Sequence, residues 1–308
     1  MSLGAEQAGA TIVWAGNHWR FAVDVHRRVH PEATVVCQDL RQADFTVLRD
    51  LGVEAIVAGP ACQGHSQAAQ PGRAQPGRAQ RKGVRRTHDE YRSTAWAVID
   101  AVECVEPRLV LVENVPQFRD WRLYPAWRWA LQTMGYAVTE QVLTASRWGV
   151  PQRRQRLFVV AVRGRHGVQQ LEDPDVPEPP IGPCIEWDVG PWHPVSRKSK
   201  AVRARVRKGR ASHGERFLTQ HVSNHPGVGL HEPIRTVTTQ DQWAAVKGYR
   251  MRPLTVRENL RAMSFPDSFE AYFPASANRT DIIRAIGNAV PPVLVAGVLG
   301  AVRAQTGI

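Results

Sequence analysis

The run Gly59-Pro60-Ala61-Cys62-Gln63-Gly64-His65-Ser66 sets a cysteine just after a short apolar stretch, Ala55-Ile56-Val57-Ala58. A thiolate is the softest nucleophile among side chains. A proline and glycine frame fixes its direction and lets another molecule approach the backbone. This is how a nucleophile is presented at the end of a buried strand; a buried, inert cysteine is the alternative at that place. Two other groups that can do chemistry follow the same pattern. Glu113 closes an apolar run in Val112-Glu113-Asn114-Val115-Pro116, and Gln152-Arg153-Arg154-Gln155-Arg156 precedes another. A fourth block, Ile286-Gly287-Asn288-Ala289-Val290-Pro291-Pro292, lies near the C-terminus.

The elements that must position these groups are legible as alternating patterns. Short β-branched or apolar runs at 11–15, 34–38, 55–59 and 109–115 are separated by helical patterns such as 19–29 and 92–105. The alternation predicts an α/β fold with a doubly wound, mostly parallel sheet and ligands at the carboxyl ends of its strands, where Cys62 and Glu113 both fall. Strands at 136–144 and 156–162, joined through Gly149-Val150-Pro151, close a catalytic domain over 1–163. Residues 172–183 are rich in proline and acids, which suits a semi-rigid connector. A second, smaller, basic domain is expected over 164–250, without clean periodicity in its basic stretch. After it, 251–308 becomes regular again: a helix at 255–263, a stop at Phe265-Pro266-Asp267, and a last helix at 291–304 that returns to the catalytic domain.

A chain of 308 residues with 43% apolar content has enough apolar surface for a full core. No run reads as a signal peptide or membrane span, the apolar 289–302 being short and holding two prolines. Four cysteines without metal-type or disulfide-type spacing fit a reducing cytoplasm, and eleven histidines without a ligand-type cluster give no case for a metal. The net charge of +12 asks for a polyanionic partner, nucleic acid first. Arg197, Lys198, Lys200, Arg203, Arg205, Arg207, Lys208 and Arg210 follow one another without an acid, and the duplicated Gln-Pro-Gly-Arg-Ala of 70–79 carries Arg73 and Arg78 just after the cysteine. A solvated loop is the alternative for either stretch.

The four blocks in this order resemble those of the DNA (cytosine-5) methyltransferase family: a Pro-Cys-Gln loop, a Glu-Asn-Val strand end, a Gln-x-Arg-x-Arg strand and a late Gly-Asn-Ala-Val. The resemblance runs from Met1 to the C-terminal helix apart from 164–250, where the family carries a variable target-recognition domain. It implies that Cys62 adds to carbon 6 of cytosine, so that carbon 5 becomes nucleophilic enough to take a methyl group. It implies that Glu113 shares a proton near N3, which would require a raised pKa in a closed site. Arg156, and secondarily Arg154, match the arginines that hold the cytosine oxygen and the acid; alternate residues on one strand would point them to one face. The target base must leave the duplex to meet the thiolate and a methyl donor. Gln63, Ser66, Arg73, Arg78, Arg203, Arg205 and Arg207 would then contact double-stranded DNA, and the protein is expected to act as a monomer, as a restriction-modification or phage-borne enzyme.

The resemblance implies S-adenosylmethionine as cofactor, held by Asn17, His18, Asp39, Pro60 and Asn288. Asp39 matches the residue at the adenine amine. The family's first strand and Gly-rich turn have no counterpart here, and Asn17-His18 stands where the ribose-binding acid is expected. Either a strand precedes Met1 in a longer chain, or the donor is another one-carbon carrier, methylenetetrahydrofolate, giving 5-hydroxymethylcytosine. Two departures touch the nucleophile: Ala61 replaces a proline of its frame, and His65 brings an imidazole that could lower the thiol pKa. A catalytically inactive DNA-binding relative is the remaining reading; it has no need for Cys62, Glu113, Arg154 and Arg156 together.

Overall fold

The computed structural model of the chain describes residues 1–61, 93–164, 167–174, 176–222 and 225–308. It divides into two compact units, the first made of Met1–Leu143, Gln155–Asp173 and Ala296–Ile308, the second of Thr144–Arg154 and Pro174–Val295.

In the first unit the strands are β1 (Trp14–Asn17), β2 (Thr34–Cys37), β3 (Ala55–Ala58), β4 (Leu109–Asn114), β5 (Tyr136–Thr144) and β6 (Gln155–Arg163). Helices α1 (Ser2–Gln7), α2 (Arg20–Val29), α3 (Trp96–Val105) and α4 (Tyr124–Thr133) alternate with them, as the periodicity predicts. The class is α/β, with one correction to the expected sheet. Instead of a single, mostly parallel sheet, the described residues of this unit form two: a parallel pair β1-β2, and a mixed sheet in the order β3-β4-β6-β5. In the mixed sheet β3 is parallel to β4 and β4 antiparallel to β6. Among the described residues, β1 pairs only with β2 and β3 only with β4, so each leaves one edge unpaired.

β4 is buried along its whole length, which explains its unbroken Leu-Val-Leu-Val run. Val110, Val112, Leu157 and Val159 pack with Val98 and Val102 of α3 and Trp127 and Leu131 of α4 into one core. The Trp127 indole N–H donates to the Ala95 carbonyl at 2.9 Å, so the largest side chain of this core leaves no polar atom stranded. β1 starts later than the apolar pattern suggests because its register places Trp14 opposite Thr34. It runs on through Gly16, where a Cβ would fall 2.5 Å from the Trp14 ring and 2.6 Å from Leu40; only glycine fits there.

The second unit holds a four-stranded sheet in the order β7-β10-β9-β8, from β7 (His193–Pro194), β8 (Arg216–Gln220), β9 (Trp243–Lys247) and β10 (Arg250–Pro253). Against it packs α5 (Lys200–His213), a helix in a stretch whose sequence shows no clean period. Its buried stripe is short: Val202 and Val206 pack with Phe217, Val246 and Met251, and Gly209 lets the Phe217 ring within 2.2 Å of where its Cβ would stand. Ser199 caps its start through the Val202 N–H, and Gly214, at φ 77°, ends it. The remaining helices are α6 (Val256–Ala262), α7 (Arg279–Asn288) and α8 (Pro292–Thr306). α6 opens with a capping box between Thr255 and Glu258. The segment expected as a returning tail is shared: residues up to Val295 go with the second unit and Ala296–Ile308 with the first. By length and composition Arg279–Thr306 is apolar enough to cross a membrane, but 56% of its apolar window is buried within the protein and it breaks between Asn288 and Pro292.

Candidate active site

Glu113 sits at the carboxyl end of β4, with its side chain only 10% exposed. β6 runs antiparallel beside it and brings the Arg156 guanidinium to it, with Nε 2.8 Å from Oε1. The Arg156 side chain is itself 13% exposed, so the pair is screened from solvent and strong in both Coulomb and hydrogen-bond terms. The next residue, Asn114, is buried and turned the other way: its Nδ2 donates to the Pro60 carbonyl at 3.0 Å and its Oδ1 accepts from the Val115 N–H at 2.9 Å. Asn114 therefore staples the Gly59-Pro60 turn to the end of β4. Ala61 is fixed as well, its N–H donating to Thr94 Oγ1 at 3.1 Å. A Cβ on Gly59 would lie 3.6 Å from Glu113 Oε2, so the turn passes directly beside the carboxylate.

Asn114 and Thr94 are positioning residues that sequence reasoning alone does not single out. For Asn114 a signal is present, because an amide beside a catalytic-type acid at a strand end has both a donor and an acceptor to offer the backbone. For Thr94 there is none. Cys62, Gln63, Ser66, Arg73 and Arg78 lie outside the described residues.

Arg154 differs from the expectation of two arginines on one face. β6 begins at Gln155, and Arg154 precedes it, in the second unit. It is 2% exposed and donates to the carbonyls of Val237 at 3.0 Å, Gly287 at 3.0 Å and Ala289 at 3.1 Å. Its neighbour Gln152, fully buried, donates to the Ala262 carbonyl at 2.9 Å and accepts from the Val237 N–H at 2.8 Å. In this block Gln152 and Arg154 organise backbone, and Arg156 meets the acid.

Three of the donor-side candidates, Asn17, Asp39 and Pro60, are occupied by local contacts. Asn17 Oδ1 accepts from the Trp19 N–H at 2.8 Å, making the turn from β1 into α2, and His18 is exposed beside it. Asp39 accepts from Arg41 Nε at 2.9 Å and caps a short turn through the Arg41 N–H at 3.1 Å. The Arg41 guanidinium bound to Asp39 holds its carboxyl below the usual range. Pro60 is in the stapled turn, and Asn288 is exposed at the end of α7. Among these candidates Asp39 is the only carboxylate, and it is engaged by Arg41. By themselves the candidates do not form a complete S-adenosylmethionine site. Among the described residues no group of three or more His, Cys, Asp or Glu is placed to hold a metal ion.

Of the expected DNA contacts in the second unit, Arg203 and Arg207 stand exposed on one face of α5. Arg205 is turned inward and donates to the Gln220 carbonyl at 2.8 Å, tying the helix to β8.

A family model described as C-5 cytosine-specific DNA methylase matches residues 1–186 and 185–303 of the chain. The Type II methyltransferase M.HgiDI of Herpetosiphon aurantiacus is 28% identical over 313 residues, covering 94% of this chain and 86% of its own length. The Type II methyltransferase M.HindV of Haemophilus influenzae is 27% identical over 311 residues, covering 94% of this chain and 88% of its own. Among solved structures, a putative DNA modification methyltransferase encoded within an Escherichia coli prophage superposes with a TM-score of 0.70 at 17% identity, over 100% of this chain and 96% of that one. At that identity the likeness is one of fold.

Proposed function

The chain belongs to the C-5 cytosine-specific DNA methylase family and is a DNA cytosine methyltransferase; from that premise we propose that it works through a covalent Cys62 adduct on a cytosine flipped out of the duplex. The observation that carries this reading is the screened Glu113–Arg156 pair beside the stapled Gly59-Pro60 turn, from which Cys62 is two residues away. A nucleophile delivered there meets an acid and a fixed cation at once. The Cys62 thiolate adds to carbon 6, and the electron density pushed into the ring is relieved at N3 by a proton shared with Glu113. Arg156 orients that carboxyl and stabilises the electron-rich ring without competing for protons. Once carbon 5 carries its new group, loss of its proton and expulsion of the thiolate restore the aromatic ring.

Membership implies S-adenosylmethionine as the source of the methyl group. The companion reading, hydroxymethylation with methylenetetrahydrofolate, uses the same Cys62, Glu113 and Arg156 and differs only in the carbon transferred. Nucleoside mass spectrometry on duplex DNA incubated with the protein and each donor tests both. 5-Methylcytosine with S-adenosylmethionine is the expected product, 5-hydroxymethylcytosine with the folate would transfer the reading to the companion, and unmodified DNA with both would sink the enzyme assignment. The similarity to Type II methyltransferases supports a role on the protective side of a restriction-modification pair.

The part of the second unit that falls within 164–250 is read as the target-recognition domain, with α5 as its phosphate-binding element. Replacing Arg203 and Arg207 by Gln should lower affinity for every duplex alike and reduce the steepness of its salt dependence by about one unit of log-log slope for each phosphate that is no longer neutralised. Replacing Arg205 should act on stability first, because its guanidinium holds a backbone carbonyl. Affinity measured against salt for the exposed-pair variant checks this; an unaltered slope would mark α5 as a solvated face.

A further inference from the structure

At one end of the second unit's sheet, three glutamine amides form a chain of uniform sense. Gln220 Nε2 donates to Gln242 Oε1 at 3.3 Å, and Gln242 Nε2 donates to Gln240 Oε1 at 3.1 Å. Reversing any one amide would set N–H against N–H or oxygen against oxygen, so each fixes the next. The chain also runs outward, from Gln220 at 5% exposure through half-buried Gln242 to exposed Gln240. Both N–H groups of the Gln240 amide are without a hydrogen-bond partner among the described residues. Its oxygen keeps one lone pair after accepting from Gln242.

The loop that carries Gln240 is held at both ends. Val237 is clamped by Gln152 and Arg154. Thr238 is pressed against Gly287, where a Cβ would lie 2.3 Å from the Thr238 carbonyl carbon, so that the loop rests on the Gly-Asn-Ala-Val block. Thr238 Oγ1 then closes the turn on Gln240, 3.2 Å from its carbonyl and 3.3 Å from its N–H. On the far side Arg279 holds Asp241 at 2.8 Å, and the His221 N–H donates to the Gln242 carbonyl at 2.8 Å. Lys198 lines a small cleft of about 50 Å³ together with His221, Asp241 and Trp243, the neighbours in sequence of Gln220, Gln240 and Gln242. A pre-oriented amide at the exposed end of a buried relay, on a loop held at both ends, matches what base reading in a DNA groove needs: a donor and acceptor side by side on a rigid support.

We propose that Gln240 reads an adenine in the sequence flanking the target cytosine, and that Gln242 and Gln220 position it. The inference rests on the reading of the chain as a DNA cytosine methyltransferase and adds the residue that discriminates bases. The Gln240 amide donates to N7 and accepts from the N6 amino group, the pairing an adenine offers in the major groove and no other base does.

The test is selection from a duplex pool randomised around a cytosine, with sequencing of the bound fraction for wild type, Gln240→Ala, Gln240→Glu and Gln242→Ala. Wild type should show a preference for adenine at one position, which Gln240→Ala lowers by about ten-fold or more while other positions keep theirs. Gln242→Ala should blunt the same position only. Gln240→Glu should move the preference there toward cytosine, whose N4 amino group suits an acceptor. Misfolding cannot produce that gain. Unchanged preferences in the Gln240 variants, or an equal fall at all positions, would overturn the proposal. Because the selection reads binding, it is decided separately from nucleoside analysis of the same proteins, where a lack of modified cytosine strikes at the enzyme reading instead.

Discussion

Cys62→Ser should abolish turnover to background and leave duplex affinity within a few-fold of wild type. The two halves have different physical causes. In the proposed reading affinity comes from phosphate contacts by exposed basic residues such as Arg203 and Arg207, which the substitution does not touch. Turnover needs a nucleophile that adds to a weakly electrophilic ring carbon and later leaves it; a hydroxyl, far less acidic than a thiol, supplies too little of its anion at neutral pH to begin. A duplex with 5-fluorocytosine at the target separates the possibilities. With the methyl donor present, transfer to carbon 5 makes the addition irreversible because the fluorine cannot be lost, so the wild-type protein should accumulate as a denaturation-resistant protein–DNA adduct, and the serine variant should form none. A serine variant that modifies DNA at the wild-type rate means another group is the nucleophile. Binding without any adduct in the wild-type protein means the chain is an inactive relative.

Much of the site's neighbourhood is legible in the sequence because burial leaves a direct trace. The run Leu109-Val110-Leu111-Val112 is apolar because β4 is covered on both faces, and Glu113 stands out by interrupting that run. The Gly-Pro turn after β3 is equally readable, since few other sequences leave a strand so abruptly. Arg154 and Arg156 are not separable by spacing. A period of two holds only inside a strand, and β6 starts between them, after Arg154 has been claimed by three carbonyls. α5 is hidden for a different reason. Its buried face needs only Val202, Val206 and Gly209 because the Phe217 ring fills the space above the glycine, so arginines on its other faces mask the helical period. The relay ending at Gln240 joins β8 to the stretch before β9, and contacts made across a sheet end leave no local pattern to read.

The sheet is the clearest case of a sequence pattern that is right in class and incomplete in topology. Alternating strands and helices predict a parallel doubly wound arrangement, and β1-β2 and β3-β4 are parallel as expected. Periodicity carries no information on whether strands far apart in sequence hydrogen-bond, so neither the separation of β1 from β3 nor the antiparallel entry of β6 has a local signature.

Glu113→Gln should lower the rate of modification by about two to four orders of magnitude, the usual contribution of a positioned acid or base, with DNA affinity nearly unchanged. Glutamine has the shape of the carboxyl and can still accept from Arg156, so the geometry at the end of β4 is preserved while the group loses its ability to exchange a proton. Stability must be followed in the same experiment, because the partner of a nearly buried guanidinium is being neutralised; breaking such a pair outright typically costs about 3–5 kcal/mol. Titration with duplex DNA, which does not draw on the Glu113 proton, counts the folded, binding-competent protein, so that rate per competent site is free of any loss in the folded fraction. Arg156→Lys supplies the coupling. If the arginine acts by orienting the Glu113 carboxyl, its effect should largely vanish in the Glu113→Gln background, since residues that act as a unit are far from additive. If both effects persist in full, Arg156 holds the ring by itself. Wild-type turnover in Glu113→Gln would reduce the pair to a strand-end salt bridge, its 2.8 Å contact serving only to close β4 against β6.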